Sequence, residues 1–121
     1  MTAYEFIDIG QSQLALNVAH VSLWLAVLSG YLVVAYTVGA KLTRAQVVVF
    51  NLIYVIWSVF LGVASGNTLH HALNNTSRGW EMLEEASPVL PLTMPFFYLI
   101  GIMLIIAALA FMWSVRHPKA E

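Results

Sequence analysis

The chain predicts an all-α integral membrane protein. Three transmembrane helices are expected, N-terminus outside and C-terminus inside, with a short interfacial helix in the outer loop between helices 2 and 3. Three observations carry this expectation. No charged residue occurs from Ile9 to Ala40, from Ala45 to Ser77, or from Ala86 to Val115. Each window exceeds the roughly 20 residues a helix needs to cross the hydrocarbon. Hydrophobic residues make up 60 % of the 121 and charged residues 9 %, against about 25 % charged in a soluble domain. The basic residues also sort by connection. Lys41 and Arg44 lie between the first two windows, and Arg116 and Lys119 follow the third. The remaining connection has Arg78 alone against Glu81, Glu84 and Glu85. The positive-inside rule then sets both basic ends in the cytoplasm.

The first element is expected to begin early. Thr2 followed by Glu5 fits a capping box, so helix starts near the N-terminus and runs into a first span over about 16–39. The acidic, aromatic opening lacks the basic n-region of a signal peptide, so this helix reads as an uncleaved anchor. Gly39 to Arg44 forms a tight turn that forces the first two spans into an antiparallel hairpin. The second span covers about 46–69.

An outer loop is expected over 70–91, because Asn74, Asn75, Thr76, Ser77 and Gly79 are turn-formers. Within it, Trp80 to Ala86 reads as one or two helical turns on the membrane surface, with Trp80 and Leu83 toward lipid and the glutamates toward water. The third span runs over about 93–114. Pro88, Pro91 and Pro95 lie before it or in its first turn, where a missing N–H costs little. Phe96, Phe97 and Tyr98 supply an aromatic belt at one end, and Trp113 at the other. All 121 residues form one membrane domain.

With Thr43 as the turn centre, Trp24 falls opposite Gly62, His20 opposite Gly66, Gly30 opposite Ile56, and Tyr36 beside Asn51. The estimate is good to about one helical turn.

Two strips of small residues suggest helix packing: Ser22, Ala26 and Gly30 in the first span, and Ser58, Gly62 and Gly66 in the second. Small residues four apart let helix backbones approach, which stands in for the hydrophobic drive that lipid removes. The Gly62 strip is assigned to contact with the first span near Trp24. The Ser22 strip lies on the opposite face from Asn17, Trp24 and Tyr31, leaving it for the third span or another protomer. Asn51, Tyr54, Ser58 and Ser65 share one face of the second span, which must be protein-facing because an unpaired amide in hydrocarbon costs several kcal/mol. Tyr36 and Asn51 are expected to make an intramembrane polar contact across the hairpin.

The candidate metal ligands are His20, His70 and His71, which the register places near the outer surface. Imidazole binds haem iron or divalent metals well. The sequence also argues against a shared site: neighbouring histidines on a helix diverge by about 100°. No cofactor is the leading expectation, with haem or a divalent metal as the alternative.

Composition excludes several classes. The absence of cysteine removes disulfides and thiolate metal sites, and a formal net charge of -1 argues against nucleic-acid binding. No ionisable acid or base lies mid-membrane, which argues against an ion-coupled transporter. No catalytic grouping is evident, so an enzyme is not expected. In size and topology the chain resembles small three-span inner-membrane proteins of bacteria. The leading expectation is a non-enzymatic protein of that membrane, self-associating or serving as an accessory subunit of a larger membrane complex. Two alternatives are a pore-former resembling the three-span phage holins and a redox subunit using the outer histidines.

Overall fold

A computed structural model describes residues 1–89 and 92–118. Leu90 and Pro91, at the end of the expected outer loop, lie outside the described residues, as do Lys119, Ala120 and Glu121. Three helices account for almost everything else: α1 over Ala3–Val38, α2 over Arg44–Met82 and α3 over Thr93–Arg116. All three are long and apolar enough to cross a membrane. The chain is therefore compatible with a transmembrane protein.

α1 starts where the capping signal puts it. The Glu5 amide donates to Thr2 Oγ1 at 3.2 Å, and the Thr2 amide donates to Glu5 Oε2 at 2.7 Å. Two of the helix's four orphan donors are engaged in this way or by the flanking backbone. A one-turn 3-10 segment, Gly39–Lys41, closes α1. α2 begins immediately with a second capping box, Thr43 with Gln46. This short turn makes α1 and α2 an antiparallel hairpin, as the spacing of Gly39 to Arg44 predicts.

The main departure from expectation is at the far end of α2. No loop begins after Leu69; the helix continues through Asn74, Asn75, Thr76, Ser77 and Gly79 to Met82. These residues are poor helix formers alone, but tertiary packing overrides propensity. Ala72 and Gly79 are buried against α1, where Gly10 and Ala3 are buried in turn. Nor does Trp80 to Ala86 form a separate surface helix. Trp80 to Met82 are the last residues of α2. Glu85 N–H then donates to Trp80 O at 3.2 Å and Glu84 N–H to Glu81 O at 3.0 Å, with Glu84 at φ 55°. That is a Schellman stop with glutamate where glycine is usual.

At 1.5 Å per residue, α1 and α2 are about 54 and 58 Å long and α3 about 36 Å. The hairpin thus outruns α3 by about 20 Å at its N-terminal end. Pro95 sits in the first turn of α3, as expected. The core lies at the other end, near the turn. Tyr31 and Ala35 of α1, Tyr54 of α2, and Ala108 and Met112 of α3 form one buried cluster. Arg116 ties α3 to the turn by donating from Nη1 to Gly39 O at 2.9 Å and Leu42 O at 2.6 Å. Gly39 O also accepts from Leu42 N–H at 3.4 Å; carbonyls at a helix end are short of partners, so a side chain from the third helix supplements the turn that closes the first.

Candidate functional site: seam and cavity

The seam between α1 and α2 repeats every seven residues. Ala3, Gly10, Asn17, Trp24 and Tyr31, five of the six buried residues of α1, recur at this spacing, and Ser58, Ser65, Ala72 and Gly79 are buried on α2 with the same period. A seven-residue repeat keeps one face of each helix on its partner over many turns. Four polar links cross this seam. Asn75 Nδ2 donates to Gln13 Oε1 at 2.8 Å, His20 Nδ1 lies 3.5 Å from Thr68 Oγ1, and Tyr31 Oη donates to Asn51 Oδ1 at 2.7 Å. The fourth is the Ser65 hydroxyl donating to Asn17 Oδ1, with both residues buried. Tyr31 also stacks on Tyr54, ring centroids 4.3 Å apart.

Asn51 is therefore a cross-hairpin partner, but of Tyr31 rather than Tyr36. Tyr36 is 77 % exposed; it lies five residues further along α1, rotated off the seam face. The rest of the expected polar face holds: Tyr54, Ser58 and Ser65 are buried. The pairs Gln13–Asn75, His20–Thr68 and Tyr31–Asn51 lie within about one turn of the register counted from Thr43.

The small-residue strips divide differently than the spacing suggested. Ser22, Ala26 and Gly30 are all exposed, on the face opposite the seam, and a Cβ added at Gly30 would meet nothing within 4 Å. The Ser22 hydroxyl bonds the Val18 carbonyl of its own helix at 2.8 Å, so it can face lipid at little cost. Gly62 is half-buried, and an added Cβ there also meets nothing within 4 Å. It shares a cavity with Trp24 without bringing the backbones together. Gly66 does make a tight contact, with the Tyr98 hydroxyl of α3 rather than with α1. The glycines that bring α1 and α2 close are Gly10 and Gly79, where an added Cβ would lie 2.9 Å from Ala72 O and 2.8 Å from Ala3 O.

The histidines do not converge. His20 is half-buried on Thr68, while His70 and His71 are both exposed, with ring centroids 5.9 Å apart. Among the described residues, no three histidine, aspartate or glutamate side chains gather as a metal site.

The feature that sequence reading missed is a cavity of about 410 Å³ between the three helices, lined by Trp24, Ser58, Gly62, Tyr98 and Gly101 among others. Among the described residues, Trp24 Nε1, Tyr54 Oη and Ser58 Oγ are buried without a partner in hydrogen-bond geometry. The Tyr54 and Ser58 hydroxyls lie one turn apart on the same face, near each other but outside hydrogen-bond geometry. No protein-family model, curated protein or solved structure matches this chain.

Proposed function

We propose that this chain is a small non-enzymatic integral membrane protein of a bacterial inner membrane, C-terminus cytoplasmic. It works as a scaffold, associating with itself or serving as an accessory subunit of a larger membrane complex. The observation that carries this is the uncovered strip Ser22, Ala26, Gly30. Glycine within a helix costs about 1 kcal/mol relative to alanine, and among the described residues nothing touches the space above Gly30. A small residue kept without an intrachain contact fits a second helix supplied from outside. The distribution of charge supports the orientation: Lys41, Arg44 and Arg116 share the turn end, and Glu5, Asp8, Glu81, Glu84 and Glu85 share the other.

Native purification in mild detergent, with mass measurement of the intact assembly, tests the association. A stoichiometric assembly that Gly30→Leu dissociates, with the fold intact, is the expected result. A monomeric mass without a stoichiometric partner, or an assembly indifferent to Gly30→Leu, would count against the reading. For the orientation, a reporter active only in the cytoplasm should be active when fused after Glu121.

A further inference from the structure

Near the turn, an apolar groove meets a group of cations. The groove lies between α1 and α3 and encloses about 580 Å³, lined by Leu28, Leu32 and Tyr36 on one side and Leu104, Ala107 and Phe111 on the other. It follows the last turns of α1 and the second half of α3, so it lies in the half of the membrane nearest the turn. Its wall is apolar, because the Thr37 hydroxyl on the groove donates back to Val33 O at 2.7 Å. The groove is open along one side. In a spanning protein, what borders that side is the acyl-chain layer of the bilayer.

The cations stand where the groove reaches the membrane surface. Lys41 follows Thr37 by four residues. Arg116 follows Phe111 by five and is held at the same place, because its Nη1 donates to Gly39 O and Leu42 O, on either side of Lys41 in the chain. A guanidinium has five N–H donors, more than these two bonds use. Arg44 starts α2, and both Lys41 and Arg44 are exposed. Glu5, Asp8, Glu81, Glu84 and Glu85 lie at the far end of the hairpin, about 50 Å away. Among the described residues, no carboxylate shares the turn end to offset its charge. Tyr36 borders the mouth of the groove. It is 77 % exposed, and its hydroxyl has no hydrogen-bond partner among the described residues.

We propose that this groove and its rim bind one phospholipid with a net negative headgroup, in the leaflet on the turn side. An acyl chain lies between α1 and α3, and the phosphate meets Lys41 and Arg116. The Tyr36 phenol, apolar in body and polar at its tip, suits the level just below, where it donates to an ester carbonyl. Charge complementarity selects the headgroup. A zwitterionic lipid brings its own ammonium to a rim that already carries Lys41, Arg44 and Arg116. An anionic lipid neutralises that rim, with about a fivefold gain for each cation near the surface. The inference goes beyond the proposed function and rests only on the chain spanning a membrane. It needs neither the orientation nor the scaffold role, since a bilayer of uniform composition offers the same lipid to both faces.

Phosphatidylglycerol and phosphatidylcholine with matched acyl chains are the probes. Native mass spectrometry of the full chain in mild detergent should show one phosphatidylglycerol retained per chain where phosphatidylcholine is not. Lys41→Gln should weaken that binding about fivefold. Ala107→Phe puts a ring on an exposed position of the groove wall and should abolish it. Arg78→Gln removes the same charge at the other end and should change nothing. A second measurement, in nanodiscs, locates the lipid. With the native tryptophans replaced by Phe, Phe111→Trp supplies a reporter on the groove. Acyl-brominated phosphatidylglycerol should quench it more than brominated phosphatidylcholine at equal mole fraction, and high salt should shrink the difference. A variant retaining only Trp57, on the exposed face of α2, should be quenched equally by both.

Equal retention of the two lipids overturns the proposal. So does a preference for phosphatidylglycerol that survives both Lys41→Gln and Ala107→Phe. If the excess quenching is as large at Trp57 as at position 111, the charged end gathers anionic lipid all round without a site at the groove, and the assignment fails.

Discussion

Gly10→Ala adds a single methyl group at the part of the hairpin that α3 does not reach. The added Cβ would overlap Thr76 Oγ1 and lie 2.9 Å from Ala72 O and 3.0 Å from Thr76 N. A hydroxyl can rotate away, but two of these three atoms are backbone, so relief requires α2 itself to move. Two opposing terms decide the sign. Alanine gains about 0.8–1.0 kcal/mol of helix propensity over glycine. Overpacking of a well-fitted contact costs about 1–3 kcal/mol. The clash wins or breaks even for alanine, giving a net loss of up to about 2 kcal/mol. Leucine at the same position adds more volume and should unzip the projecting end. Gly30→Ala is the matched control. No atom of the described residues lies within 4 Å of its Cβ, so in the dissociated monomer only the propensity term acts and the helix gains about 1 kcal/mol.

The readout is thermal or denaturant unfolding followed by circular dichroism in nanodiscs. A cross-link reports locally: the chain has no cysteine, so Gln13→Cys with Asn75→Cys introduces the only reactive pair. These side chains are hydrogen-bonded across the seam, and a short bismaleimide should join them efficiently. Gly10→Leu should lower the yield sharply, and Gly30→Ala should leave it unchanged. If Gly10→Ala stabilises as much as Gly30→Ala, and Gly10→Leu still cross-links, the two helices are not packed at Gly10. The extension of α2 past Leu69 would then lose its physical basis.

Further substitutions probe the other contacts. Arg116→Gln removes two charge-assisted hydrogen bonds to Gly39 O and Leu42 O and should destabilise the chain by about 2 kcal/mol in the same unfolding assay. Tyr31→Phe should cost about 0.6 kcal/mol, the average for an intramembrane hydrogen bond. Tyr36→Phe should be neutral, since Tyr36 is exposed and no hydrogen bond joins it to Asn51. Equal effects of the two would refute the Tyr31–Asn51 pairing. Glu84→Gly relieves a left-handed backbone at the α2 stop and should raise stability by about 1 kcal/mol; a fall would mean that the Glu84 side chain makes a compensating contact.

The spans were legible in the sequence because charge-free length is a strong signal, and the start of α1 because Thr2 and Glu5 specify a local hydrogen-bond pattern. The end of α2 was not. Asn74 to Gly79 reads as a turn when taken alone, and only pairing with α1 keeps it helical. A signal for that pairing does exist: Ser58, Ser65, Ala72 and Gly79 continue a seven-residue repeat straight through the apparent boundary at Leu69. It was obscured because these residues are small or polar, so they do not read as a hydrophobic stripe. The Gly62 strip misled for the opposite reason. Spacing shows that a face is small but not whether a backbone, a ring or empty space lies above it. Gly66 meets the Tyr98 hydroxyl, and Gly62 meets nothing.

The repeat along α1 also changes in size, and that gradient explains where α3 can fit. From the N-terminal end toward the turn, the seam residues are Ala3, Gly10, Asn17, Trp24 and Tyr31. Facing them, Gly79, Ala72, Ser65, Ser58 and Tyr54 are small until the last. Where both sides are small, the two helices fit closely and need no third. Where Trp24, Tyr31 and Tyr54 enter, the seam carries rings in place of small side chains. There Ala108 and Met112 of α3 are buried against Tyr31, Ala35 and Tyr54. Between the two regimes, Trp24 and Ser58 border the cavity, and Gly101 of α3 presents no side chain to fill it. The cavity follows from that mismatch: aromatic rings on one side, glycine on the other, and an apolar wall between them.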